Sequence, residues 1–256
     1  MYRPRLMPVL LLKDLYLVKT LKFRNPEYIG DPINAVRIFN QLNADEIIFL
    51  DISSKLSDNK MKYDLIERIA YQANMPFSYG GDIHSLEQIS EIIKRGAEKI
   101  IFGSATYNNP NLILEASEKF GASTIACCLD YKKLIFKKNE TFFYNSGSKK
   151  SNLSLPELIK IAEDHGAGEI IFQDINRDGS MKGFDYELPR RARELCSVPF
   201  TVMGGAGSYD DIKELNQLIN PNGIGVGSKF IYLRERGQVL INYPNKKNKE
   251  ELLIQN

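Results

Sequence analysis

The chain has 256 residues, 43% of them hydrophobic and 26% charged, a length and balance that suit one large α/β domain and argue against disorder. Its 34 basic and 32 acidic side chains leave a net charge of only +2, too little for the basic field that nucleic-acid binding needs. No apolar run approaches the roughly 20 residues of a membrane span, and the first residues lack a small-residue cleavage site behind an apolar segment, so a cytoplasmic protein without membrane contact is expected.

Short β-branched runs alternate with amphipathic helical stretches. Strands are predicted over 5–11, 46–52, 76–79, 99–103, 123–130, 169–175, 199–203 and 223–227. Helical spacing of apolar residues marks 32–42, 86–96, 155–166 and 209–219 between them, the pattern of a parallel sheet with crossover helices. "IIFLDI" (47–52) returns as "IIFQDI" (170–175), "PFSYGGD" (76–82) as "PFTVMGG" (199–205) and "FGS" (102–104) as "VGS" (226–228). A repeat of this kind makes the chain two similar halves of four β/α units. One (β/α)8 TIM barrel over 1–256, with half-barrels at about 1–120 and 121–240, accounts for both strand number and repeat. A doubly wound open sheet is the alternative, but it would not need a duplicated half. Residues 20–31 read as a polar link after strand 1, 131–154 as a β-hairpin insertion after strand 5, and the polar tail as ending in a short helix.

Several groups could carry chemistry at the C-terminal ends of the strands, where barrel enzymes build their sites. Gly204, Gly205 and Gly207 with Gly227 and Ser228 suit an anion cradle, because glycines let backbone N–H groups approach a phosphate. Gly80, Gly81, Gly103 and Ser104 repeat the arrangement in the first half. Two such turns suggest a ligand with two phosphates, although Asp82 places a carboxylate where its counterpart in the second half is Gly205. Asp51, Asp130 and Asp174 close strands and Asp178 follows, so acid/base work or ligand binding competes with turn capping. Lys19 lies just after strand 1, as a phosphate ligand or as a solvated lysine. His84 sits at a helix start and His165 at a helix end; neither joins a nucleophile–base set. Cys127, Cys128 and Cys196 have no disulfide or metal spacing and read as reduced structural thiols. No metal or cofactor is expected.

The order "RLMPVLLLKD…VK", "GDP", "DEIIFLDI", "PFSYGGDIHS", "RGAEKIIFGSA…NP", "FGASTIACCLD", "NSG", "GAGEIIFQDINRDGSMKGFD" and "GGAG" resembles the cyclase subunit of imidazole glycerol phosphate synthase over about nine-tenths of the chain. In that family the barrel takes ammonia from a glutaminase subunit and joins it to a bisphosphorylated aminoimidazole ribonucleotide. The resemblance implies an ammonia gate at Arg5, Glu46, Lys99 and Glu169, and a glutaminase contact at Glu98. It implies acid/base work by two aspartates, of which Asp130 is one; Leu11 stands in the place of the other, and the internal repeat sets Leu11 opposite Asp130. Asp82, Gly103 in place of an asparagine, and Gln173–Asp174 in place of small hydroxyl residues depart from the family as well. The chain thus resembles the paralogous barrels encoded with surface-polysaccharide genes, which work with a glutaminase and a third, sugar-modifying enzyme to turn an N-acetyl group into an acetamidino group. The reading is an ammonia-conducting barrel, with Asp130, Lys19 and Asp178 at its chemical end. An ordinary histidine-pathway cyclase that tolerates Leu11, and a scaffold that only activates the glutaminase, are the alternatives.

Overall fold

The computed structural model describes residues 3–53, 59–133, 140–233 and 237–254. Eight strands form where β-branched runs were read: β1 (Arg5–Lys13), β2 (Ile47–Asp51), β3 (Phe77–Gly80), β4 (Lys99–Phe102), β5 (Ile125–Lys133), β6 (Glu169–Asp174), β7 (Phe200–Met203) and β8 (Gly223–Val226). Each pairs in parallel with the next, and β8 pairs with β1. The sheet therefore closes into a (β/α)8 barrel. Strand bounds differ from expectation mainly at β1, which runs on to Lys13, and at β5, which is preceded by a 3-10 turn, Ala122–Thr124.

The helices are α1 (Pro32–Gln41), α2 (Asn59–Gln72), α3 (Leu86–Lys94), α4 (Ala105–Asn108), α5 (Pro110–Phe120), α6 (Leu155–Asp164), α7 (Glu187–Leu195), α8 (Tyr209–Ile219), α9 (Ser228–Ile231) and α10 (Lys246–Leu253). Their starts are written in the sequence. Asp31 accepts from the Asn34 N–H ahead of α1, and the side chains of Ser85 and Gln88 each accept the other's backbone N–H ahead of α3, satisfying donors that a helix leaves open.

Alternation along the strands separates two cores. One set of side chains, including Phe49, Phe77, Phe172 and Phe200, packs outward against the helices. The other set, Met7, Val9, Ile48, Ile101, Ala126, Cys128, Ile171 and Met203 with Leu50 against them, fills the barrel.

One expectation needs correction. Residues 20–31 are not an irregular link: Tyr16–Leu21 and Arg24–Gly30 form an antiparallel ribbon that folds back on β1, with Leu11 opposite Val18. The insertion after β5 is a β-hairpin as read, Glu140–Tyr144 pairing with β5 so that Asp130 lies opposite Phe143; its residues 134–139 lie outside the described residues. Each half thus extends its first strand into an antiparallel ribbon at the C-terminal end. The polar tail ends in α10 as expected, held by Lys249, whose amine bonds the Asn43 carbonyl and Asp45 Oδ1 at 2.8 Å each.

Candidate functional site

At the N-terminal end of the barrel, four charged side chains meet across the axis. Arg5 spans two carboxylates: Nη1 bonds Glu46 Oε2, and Nη2 bonds Glu169 Oε1 at 2.7 Å. Lys99 Nζ bonds Glu169 Oε2, while Ser78 donates to Glu46 and Thr201 to Glu169. Burial pushes the Glu169 carboxyl up, but Lys99 and Arg5 outweigh it and hold the group below the ordinary carboxylate range. The result is a chain, Glu46–Arg5–Glu169–Lys99, with Lys99 anchored at one end only. Glu98 is exposed beside it. Above this layer lies the apolar interior, which runs from the charged ring to the mouth.

The mouth is built by the ribbon after β1 folding across to the loop after β6. Thr20 Oγ1 donates to Asp178 Oδ2 at 3.1 Å, and the Lys22 N–H donates to the Asp178 carbonyl at 2.9 Å. Gly179 permits the contact, since a Cβ there would meet the Thr20 carbonyl oxygen at 2.2 Å. This clasp buries Lys19 (4% exposed). Lys19, Gln173, Asp178, Gly204, Gly205, Gly227 and Ser228 line a single cavity. Gly205 has φ +121°, and a Cβ there would lie 2.2 Å from the Gly183 carbonyl oxygen, so the turn requires glycine. A Cβ on Gly227 would strike Lys19 Nζ at 2.4 Å, which places that amine directly against the β8 turn. Gly207 packs on the Met181 carbonyl beside the cavity rather than lining it.

Across the mouth, Leu11 pairs with Leu50 and Asp130 with Gln173 in equivalent registers. The two halves thus present an apolar pair and a polar pair at the same level. Asp130 Oδ1 and Gln173 Oε1 both approach Cys128 Sγ, at 3.5 and 3.8 Å. Burial pushes the Asp130 carboxyl up to about 7, the Cys128 contact opposing and Asp178 adding to the rise. Such a group is poised to donate or accept a proton near neutrality. Cys127, Cys128 and Cys196 are free thiols, all buried.

Two carboxylates expected at the ligand are used by the protein itself. Asp51 Oδ1 accepts from the Ser53 N–H at 2.9 Å and Oδ2 from the Tyr79 hydroxyl at 2.8 Å, with Lys62 Nζ at 3.5 Å. Asp174 Oδ1 accepts from the Asn176 and Arg177 N–H groups at 2.7 and 3.3 Å. Both residues follow an inward-facing neighbour and so point away from the axis; the turn-capping role prevails over ligand binding. The first-half glycine turn also differs from its twin. Gly81 has φ +123° and packs on the Asp51 carbonyl, but the Ser104 hydroxyl accepts the Asn145 N–H at 3.0 Å. Asp82 bonds His84 Nε2 at 2.6 Å, and Gly103 faces open space. His165 closes α6, its Nδ1 2.7 Å from the Ile161 carbonyl.

Sequence reasoning missed Thr20, Gly179 and Lys62. "RDGS" signals a glycine turn, but nothing in the sequence joins it to Thr20, 158 positions away.

The histidine biosynthesis protein family model matches residues 5–235. A Leptospira interrogans protein, provisionally named imidazole glycerol phosphate synthase subunit HisF, is 45% identical over 98% of this chain and 99% of its own. A Pseudomonas aeruginosa protein, provisionally named subunit hisF2 of the same enzyme, is 38% identical over 96% of this chain and 97% of its own. The HisF subunit of a Thermotoga species is 34% identical over 84% of each. With the closed barrel, the duplicated half and these similarities together, the chain belongs to the histidine-biosynthesis barrel family that contains the HisF subunits of imidazole glycerol phosphate synthase.

Proposed function

We propose that this barrel accepts ammonia from a glutaminase subunit at its N-terminal face and conducts it to the mouth, without carrying out the cyclase reaction of its relatives. One contrast carries the reading: the four charged residues at the lower end form a continuous ion-pair chain, whereas Leu11 faces the polar end of Asp130 and Gln173. The charged chain is the gate. Neutral ammonia crosses the apolar interior above it, while an ammonium ion would be held back by the cost of desolvation. Lys99, tied to Glu169 alone among the four, is the side chain with the fewest bonds to break when the gate opens. Glu98 contributes to the glutaminase contact.

At the mouth, Lys19 and the glycine turns hold a phosphorylated ligand, and Asp130 and Asp178 orient the acceptor or the incoming ammonia. Asp130 has no acid/base partner on β1, since a leucine neither gives nor takes a proton, and losing one such group costs about 10²–10⁴-fold in rate. The acceptor is an N-acetyl sugar carried through surface-polysaccharide synthesis, amidinated with a third enzyme; the resemblance to paralogous barrels supports that assignment. The test is reconstitution with the glutaminase and ¹⁵N-amide glutamine. Stimulated glutamine hydrolysis, with label delivered to an amidinated sugar once the third enzyme is present, is the expected result. Stimulated hydrolysis with no labelled sugar in the complete mixture would reduce the barrel to an activator of the glutaminase.

A further inference from the structure

The two glycine turns at the mouth are twins by sequence, yet their polar groups are used differently. In the second half, the Ser228 hydroxyl is buried and has no hydrogen-bond partner among the described residues. Lys19, equally buried, makes no ion pair or hydrogen bond among the described residues, and its amine lies against Gly227, the residue before Ser228. Both line the cavity with Gly204 and Gly205. Asp178 lines it too, with one carboxylate oxygen held by Thr20. A buried cation and a buried hydroxyl left without acceptors are costly unless a ligand supplies the acceptor. An anion rich in oxygen meets both needs.

In the first half every equivalent group is spent. Ser104, the twin of Ser228, accepts the Asn145 N–H. Asp82, the twin of Gly205, carries a carboxylate bonded to His84. Lys62, the buried lysine beside this turn, lies 3.5 Å from Asp51 Oδ2 and 3.3 Å from the Gly81 carbonyl. Lys132 bonds the Gly147 carbonyl at 3.2 Å and lies over the Phe143 ring. Beyond the residues lining that cavity, this side holds Tyr107, stacked on Tyr144, with a buried hydroxyl that has no partner among the described residues. Asp130 and Cys128 are within electrostatic reach of that hydroxyl. The unpartnered hydroxyl suits a neutral, hydroxyl-bearing molecule, and the Asp82 carboxylate repels a second phosphate.

We propose that the mouth takes a ligand with a single phosphoryl group, seated on Lys19, Ser228 and the Gly204–Gly205 turn, and an uncharged polyhydroxyl end toward Tyr107. The proposal rests on the mouth binding a phosphorylated ligand, as set out above, and replaces a bisphosphate by a phosphomonoester. It separates this barrel from a cyclase by substrate class as well as by Leu11.

Calorimetric titration of the isolated barrel with inorganic phosphate, fructose 6-phosphate and fructose 1,6-bisphosphate tests it, because phosphate binding needs neither the glutaminase nor an acceptor reaction. One site per chain is expected, with the two sugar phosphates within about threefold of each other, since a second phosphate gains no charge-assisted bonds. Ser228→Ala removes a hydroxyl that has no partner among the described residues, so it should leave the thermal midpoint unchanged. The same variant, and Lys19→Met, should weaken all three ligands by about tenfold or more. Ser104→Ala should leave them unchanged. Tyr107→Phe should weaken fructose 6-phosphate but not inorganic phosphate. A bisphosphate bound about tenfold or more tightly than the monophosphate, Ser104→Ala as damaging as Ser228→Ala, or no phosphate binding at all would overturn the proposal. Failure of ammonia delivery in the reconstituted system would leave these titrations unaffected.

Discussion

Asp130 is the residue on which the proposed chemistry at the mouth depends, and its setting makes a prediction about pH. Burial lifts its carboxyl to about 7, whereas an aspartate in an unfolded chain titrates near ~4. The folded state therefore favours the neutral form. Its contribution to stability is complete below about pH 4 and is lost as pH rises through about 7. Asp130→Asn keeps the neutral shape, so urea midpoints measured from about pH 5 to about pH 8 should show the variant gaining on the wild type as pH rises. Asp174, lifted by burial to about 6, remains in both proteins and cancels from the comparison. Leu11 sits at the same level, 6% exposed and paired with Leu50. Leu11→Asp should cost about 2–4 kcal/mol of stability by denaturation, because the new carboxyl replaces packed apolar surface.

At the scale of elements, the ribbon after β1 is what turns a strand end into a site. The Thr20–Asp178 bond ties it to the loop after β6, next to the buried Lys19. Thr20→Val removes the donor and leaves a buried carboxylate oxygen short of a partner. It should cost about 1–3 kcal/mol and weaken phosphate binding by calorimetry, while the ion pairs of Arg5 and Lys99 stay intact. The tail helix α10 acts at the opposite end. Lys249→Met leaves Asp45 with Arg3 as its remaining ion-pair partner, and a loss of about 2–4 kcal/mol is expected in urea denaturation.

These elements also show where the sequence was legible. Strands, helices and the repeat could be read because apolar periodicity follows from burial. The ribbon over 16–30 could not. Its turn residues Lys22 and Phe23 both take positive φ, 53° and 63°, without the glycine or asparagine that usually announces such a hairpin. Its outer strand, Arg24–Gly30, is exposed along most of its length and contains Pro26, which an edge strand tolerates but which reads as a break. Lys19 and the second-half glycine turns are candidates by residue type and position, and the structure brings them to one cavity; Asp130 is a candidate on the same grounds and pairs in register with Gln173, which lines that cavity. Asp51 and Asp174 were misplaced because strand-end aspartates read alike whether they face the axis or cap the next turn. Only the parity of their neighbours Leu50 and Gln173 settles the direction.

For the whole molecule, a layer of ion pairs, an apolar interior and the mouth lie along one axis. Among the described residues the proposed gate and the mouth share no side chain, so they should fail separately. Lys99→Met removes one ion pair to Glu169. It should alter the ratio of ammonia delivered to glutamine hydrolysed in the reconstituted complex, with fructose 6-phosphate binding by the barrel unchanged. The most direct test of the central claim is turnover of the bisphosphorylated aminoimidazole ribonucleotide by the purified barrel with ammonium salt, beside Leu11→Asp. The account predicts no cyclase product from the wild type, and a measurable gain on restoring the β1 carboxylate. Wild-type turnover within about tenfold of a HisF subunit, a smaller loss than removal of a general acid or base brings, would contradict it and make this chain a cyclase.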